Sequence, residues 1–304
     1  MTFLIVTGAD QKYFGLLQGL LGSLGDMVAH TAVLDLGLTP AQIDQLRAQG
    51  AQVARFQYPH SYPAHDQVAR EFPGFGAMLA RPYLNEIFPD VEMLMWIDAD
   101  AWVQDPGAIT EILDAARVHG IAAIPEVDRG YFKFRHEGKH VWQLEQDTYK
   151  RCFGERIAHR MTLVPVVNSG VWAAQAASKL WPAWKRQLQD GLSRLDKIDD
   201  ETRIIEQAAF NVVMESENLK VARFPATYNW MASAAAPAWH VEKKLLADPN
   251  PPHDPIRIIH ISAHFVAEGI KLQLVGRPGQ SVVTHLGRES ILGLPSVVAA
   301  LFRD

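Results

Sequence analysis

The sequence predicts an α/β protein in which a parallel sheet is covered by helices on both faces. Short apolar, β-branched runs alternate along the chain with stretches whose apolar residues recur at helical spacing. The run EMLMWI at 92–97 is continuously apolar after its glutamate rather than alternating, as befits a central strand buried on both faces. The chain also has enough material for a sizeable core: of 304 residues, 48% are hydrophobic and 21% charged, far from the composition of a disordered chain.

FLIVT (3–7) ends at Gly8 and precedes QKYFGLLQGLLGSL, which reads as strand, loop and helix. MVAHTAVLDL leads into TPAQIDQLRAQG, where Thr39 is placed to cap a helix and Pro40 to begin it. AQVARF is a further strand, followed by a helical stretch from about 66 to 88 and then the strand 92–97. DPGAITEILDAARVHG is a helix closed by Gly120, and IAAIP is the next strand. From Asp128 to about Arg160 mixed charges interleave with aromatics, and an inserted hairpin or helix is expected there. LVPVVNSGVWAAQ (163–175) is another strand, followed by two helices, SKLWPAWKRQLQDGLSRL and DETRIIEQAAFNVVMES. LKVARFP and IRIIHIS read as strands, with a Pro-rich loop excursion between them.

Formal net charge is −5 and no long run of Lys or Arg occurs, which argues against nucleic acid as a partner. The single cysteine, Cys152, excludes an intrachain disulfide, favours a reducing cytoplasm and reads as an ordinary buried thiol. The start MTFLIVTGAD has no basic n-region, and no stretch reaches the ~18 apolar residues of a membrane span. A soluble protein is expected, with peripheral contact at the inner membrane face left open. Segment 129–160 holds eight Lys or Arg against four Asp or Glu, a mixed-charge surface that is either simply solvated or meets an anionic partner.

The chemistry concentrates at MLMWIDADAWVQDP, where an apolar strand runs into Asp98 and Asp100. Ligands in open α/β sheets bind outside the carboxyl ends of strands, and two carboxylates one residue apart offer hard oxygens to Mg²⁺ or Mn²⁺. On its own the tripeptide is equally a helix cap beside a solvated aspartate.

Four further stretches fall in the order and approximate spacing of a known family. The sequence resembles the retaining GT-A-fold glycosyltransferases that include glycogenin and bacterial lipopolysaccharide glucosyl- and galactosyltransferases, over about residues 3–271. The resemblance implies a Rossmann-like domain with a mixed, mainly parallel sheet spanning 1–304. It divides into a nucleotide-binding half (1–125), an insertion (126–160) and a donor-sugar and acceptor half (161–304). It further implies metal-dependent transfer of a hexosyl group, with retention, from a UDP-sugar to a saccharide or lipopolysaccharide-type acceptor, and leaves oligomeric state open.

By the same resemblance TGADQKY places Thr7, Ala9, Asp10 and Tyr13 near the uracil, and Arg81 approaches the nucleotide. Asp98 and Asp100, with Ala99 between them, match the metal-binding pair, and His260 in RIIHIS is the third ligand, with His264 as competitor. VNSGVW supplies Asn168, Ser169 and Gly170 for donor sugar or acceptor. EQAAFN resembles Asp-Gln-x-x-x-Asn, so Glu206, Gln207 and Asn211 share a helix, with Glu where Asp is usual. Glu206 or Gln207 is expected to stabilise the cationic sugar.

The family's Gly-x-x-Lys-Pro-Trp element at the diphosphate is missing, and Lys271 in EGIKLQL is the replacement the sequence offers. Trp230 is expected to stack on acceptor sugars, whereas the helical spacing of Trp181 and Trp184 points to the core.

Three rival readings remain. Aspartyl-phosphate phosphatases also place Asp-x-Asp after a strand, but here the fifth position is Trp102. A nucleotidyltransferase would want a Gly-rich loop after the first strand. A non-catalytic sugar-nucleotide-binding protein would leave crowded carboxylates without a cation to offset their repulsion.

Overall fold

The computed structural model describes residues 2–72, 74–131, 135–136, 139–216, 218–261 and 269–301. Its strands in chain order are β1 (Phe3–Ala9), β2 (Thr31–Asp35), β3 (Gln52–Ala54), β4 (Met93–Ile97), β5 (Ala101–Val103) and β6 (Ile121–Pro125). Then come β7 (Arg135–His136), β8 (Lys139–His140), β9 (Val167–Gln175), β10 (Val221–Arg223) and β11 (Trp230–Met231). The last are β12 (Ala238–His240), β13 (Leu245–Ala247), β14 (Ile258–His260), β15 (Ile270–Val275) and β16 (Ser281–Thr284).

Seven strands form the central sheet in the order β10-β6-β9-β4-β1-β2-β3. Every neighbouring pair is parallel except the two made by β9, which runs antiparallel to both β4 and β6. The sheet is thus mixed, where strand and helix alternation alone predicts a parallel one. Periodicity reports which residues are buried and carries no record of strand direction.

β4 shows how the sheet is held. All five of its residues are buried, with Leu94 and Trp96 in one core and Met93, Met95 and Ile97 in the other. Alternate side chains of one strand point to opposite faces, so a continuous apolar run feeds both cores at once. On the first face Trp172 of β9 meets Trp184 at 5.4 Å and Phe210 at 5.7 Å between ring centroids. Trp181 and Trp184 are fully buried core residues, as their helical spacing predicts.

Several local expectations hold. Thr39 caps the helix Pro40–Ala48 through a capping box with Gln42, and the helix Gly107–His119 ends at Gly120 with φ 89°. The helical stretch expected over 66–88 is broken into His65–Glu71, Phe75–Ala80, a 3-10 turn Arg81–Tyr83 and Leu84–Ile87. Gly74 precedes the second piece and Pro82 sits in the turn, and both residue types weaken a helix interior. Cys152 is buried and its thiol is pushed up to about 12 by burial, the unreactive thiol expected. Among the described residues no helix is long and apolar enough to cross a membrane.

The insertion is both hairpin and helix: β7 pairs with β8, and helices Val141–Phe153 and Glu155–Met161 follow. The first helix braces the loop ahead of helix Ile205–Ser216. Arg151 donates to both carboxylate oxygens of Asp199, at 3.1 and 2.7 Å, and to Glu201 at 2.9 Å, while Thr148 donates to the Glu201 carbonyl. Asp199 in turn accepts from the Thr202 amide and hydroxyl.

The Arg151 contact holds the Asp199 carboxyl down at about 2, below its ordinary 3.8. A depressed carboxyl contributes stability that is present above its unfolded value and lost as pH falls through the folded one. Asp199→Asn is therefore expected to cost about 1 kcal/mol at neutral pH, a figure discounted for a pair 37% exposed. Urea midpoints of the two proteins should converge as pH falls toward about 2. A gap that did not shrink would sink this account.

Candidate active site

The site lies at the carboxyl end of β4. Asp98 leaves the strand, and its backbone N–H donates to the Gly170 carbonyl at 2.8 Å. Because β9 is antiparallel to β4, its beginning, Asn168–Gly170, reaches the edge where β4 ends. The chain then turns into β5, which pairs antiparallel with β14 so that His260 lies opposite Ala101. The Ile261 N–H donates to the Asp100 carbonyl at 2.9 Å. This register carries His260 to the two aspartates from 160 residues further along the chain.

One ligand atom each from Asp98, Asp100 and His260 lies within 4.8 Å of the others. His260 Nε2 is 3.3 Å from Asp100 Oδ1 and 3.8 Å from Asp98 Oδ2. The helix-cap alternative for these aspartates fails, because the Gly107 N–H at the start of the next helix donates to Asp105 at 2.9 Å. Asp98 Oδ1 accepts from Trp96 Nε1 at 2.7 Å and from Arg81, which leaves Oδ2 facing His260.

His260 Nδ1 lies 3.2 Å from the Asn229 amide oxygen, a partner that accepts from Nδ1–H and directs Nε2 at the carboxylates. A Cβ added at Gly170 would lie 2.6 Å from Asp98 Oδ2, Asn168 Oδ1 and His260 Cε1, so only glycine leaves this space open. Two carboxylate oxygens, an oriented imidazole nitrogen and a floor without a side chain fit a divalent cation.

Arg81 is the hub behind this cluster. It is buried, donates to Asp98, to Glu206 at 2.6 Å and to Ser169 Oγ at 2.9 Å, and stacks on Trp96 at 4.7 Å. Burial pushes the Glu206 carboxyl up, to about 7, against the downward pull of Arg81 and Ser169. Burial would lower His260, but Asp100 and Asp98 outweigh it and hold the imidazole at about 9. The cluster demands positive charge, which Arg81 and the His260 proton provide.

Ala9, Asp10, Tyr13, Arg81, Asp98, Ala99, Asp100 and His260 line one cleft of about 400 Å³. Asp10 also accepts from the Tyr13 N–H at 2.9 Å, shaping the turn after β1. Behind the cleft wall, Ser169 N–H donates to Gln207 Oε1 at 3.0 Å, and Asn211 accepts from Val167 N–H and donates to its carbonyl. Gln207 and Asn211, four apart on one helix, thus fasten that helix to β9.

Three expectations need correction. Thr7 is fully buried within β1 and does not reach the cleft. Lys271 sits exposed on β15 opposite Val283 and is not among the residues that line the cleft. Trp230 is fully buried, packed at 5.1 Å on Tyr131 and donating from Nε1 to the Ala235 carbonyl, so no face remains for a sugar. His264 lies outside the described residues.

Sequence reasoning missed Glu126, whose carboxylate accepts from Asn168 at 2.6 Å and from Gln207 at 3.4 Å. It also missed Asn229, and Lys12 and Arg203 in the cleft wall. Glu126 follows directly on the strand IAAIP, the same strand-end signal that singles out Asp98.

No protein-family model and no curated protein sequence matches the chain. Solved structures do. One is the galactosyltransferase LgtC in complex with donor and acceptor sugar analogues (TM-score 0.48, 16% identity, 85% of this chain and 86% of that one). An active-site glutamine-to-glutamate mutant of LgtC is similar at TM-score 0.50 and 15% identity, covering 85% of this chain and 86% of that one. The bifunctional glycosyltransferase WbbM, without ligand, is similar at TM-score 0.52 and 12% identity over 86% of this chain and 46% of that one. The mixed, mainly parallel sheet flanked by helices is the GT-A glycosyltransferase fold.

Proposed function

We propose that the protein transfers a hexosyl group from a UDP-sugar to a saccharide or glycoconjugate acceptor, with Mn²⁺ or Mg²⁺ held by Asp98, Asp100 and His260 and with retention of anomeric configuration. The observation that carries this reading is the convergence of three ligand atoms within 4.8 Å at the carboxyl end of β4, in a GT-A fold. When bound, the cation would supply positive charge to the departing diphosphate.

The chain's own residues have separable roles. Tyr13 and Asp10, which line the cleft, are assigned to the uracil. Arg81 fixes the orientation of Asp98 by occupying one of its oxygens. Glu206 serves as the anchor of Arg81, since its Oε2 is taken by Arg81 and Ser169. For stabilising positive charge that develops at the anomeric carbon we assign two candidates: the second oxygen of Glu206, which has no partner, and the amide oxygen of Gln207, half-buried and held by the Ser169 N–H.

Calorimetric titration of UDP with and without Mn²⁺, repeated on Asp100→Ala, tests the reading. Binding should require the metal. Loss of one ligand should weaken it more than about 100-fold, because even outer partners of metal ligands are worth 10–100-fold. UDP affinity that ignores both the metal and Asp100 would remove the proposal. Retention is checked separately, by the NMR coupling constant of the new glycosidic bond.

A further inference from the structure

Positive charge is in demand beyond Arg81, whose guanidinium is already committed to Glu206 and Asp98. If a divalent cation offsets Asp98 and Asp100, the negative charge of a bound diphosphate still needs partners. Among the described residues the other cations that line the cleft are Lys12 and Arg203. Lys271, the replacement suggested by the sequence, does not line it.

Arg203 has the attributes of an anion-binding group. It is exposed, and its recorded ion pair is a 3.7 Å contact with Asp200, itself 90% exposed, which holds it only weakly. It is close enough to act electrostatically on the Tyr13 hydroxyl, alongside Asp100, Asp10 and Asp98. Its backbone is well held: the Arg203 N–H donates to the Asp199 carbonyl at 2.8 Å, and Asp199 is clamped by Arg151. A firmly placed backbone carrying a weakly committed guanidinium meets the requirement for bidentate phosphate recognition.

We propose that Arg203, with Lys12, binds the diphosphate of the donor, and that in this chain it takes the place of a lysine beyond β14. The inference rests on reading the cleft as a sugar-nucleotide site. UDP, UMP and uridine are titrated in Mn²⁺ into the wild-type protein, Arg203→Gln and Arg203→Lys.

The expected result for Arg203→Gln is about 10- to 100-fold weaker UDP binding, a smaller loss for UMP and none for uridine, as for a lost hydrogen bond to a charged group. Arg203→Lys should recover part of the UDP affinity. Unchanged UDP affinity in Arg203→Gln would overturn the assignment, and an accompanying rise in acceptor KM would move Arg203 to the acceptor. Equal losses for UDP and uridine would overturn it too, making Arg203 a shaper of the cleft. Wild-type protein that binds no UDP would instead overturn the sugar-nucleotide reading, and this inference with it.

Discussion

Gly170→Ala should abolish metal-dependent nucleotide binding while leaving a folded protein. The new methyl would sit 2.6 Å from Asp98 Oδ2, Asn168 Oδ1 and His260 Cε1, a distance at which something must shift. Asn168 cannot readily give way, because its amide oxygen accepts from the Gly170 N–H and from Asn229. The atoms that move are therefore those of Asp98 and His260, and a ligand set displaced by a few tenths of an ångström loses its geometry. The expected losses are more than about 100-fold in Mn²⁺-dependent UDP affinity and about 1–3 kcal/mol in stability from overpacking. Calorimetry and urea unfolding on the same preparation give both numbers. An affinity within a few-fold of wild type would show that Gly170 is not the floor of the site.

Arg81→Met should have the largest effect on stability. The substitution keeps the apolar volume over Trp96 but removes the cation from between two carboxylates, one of them fully buried. Breaking a buried pair by deleting one partner costs about 3–5 kcal/mol, and that range applies here. Glu206, already at about 7 beside Arg81, would rise further and fold as the neutral acid. The sign follows from linkage. A raised carboxyl contributes stability that is complete below its ordinary value and is lost as pH climbs through the folded value. The variant should therefore lose stability from mildly acidic to alkaline pH more steeply than wild type. Adding Glu206→Gln should recover part of the loss and flatten that dependence, since it removes the orphaned charge. A single-variant cost below about 1 kcal/mol would mean that the site relaxes or admits water around Glu206.

The sequence was informative where chemistry is local and uninformative where it depends on pairing. Asp98 and Asp100 were legible because they sit at a readable strand end, whereas Arg81, inside a stretch read as one helix, and His260, at the end of a short apolar strand, entered through the family resemblance. The same reasoning assigned Trp230 and Lys271 to ligands. It failed there because the fate of a tryptophan or a lysine is decided by strand neighbours, β14 for one and β16 for the other. Arg203 was overlooked because it precedes its helix, at a position where an exposed arginine reads as solvated surface. Asn229 gave no signal at all, since its role depends on a contact with His260 thirty-one residues away.

The reversed strand at the heart of the sheet has a consequence for synthesis. β4 and β6 do not pair with each other, because β9 fills the space between them, and β9 ends only at Gln175. As the chain emerges from the ribosome, two apolar strands wait with open hydrogen-bonding edges while about 40 further residues, insertion included, are made. Open apolar edges are templates for pairing with another chain. Truncations that stop before β9 should therefore precipitate rather than yield a soluble nucleotide-binding half, and folding of the full chain should slow wherever translation stalls inside the insertion.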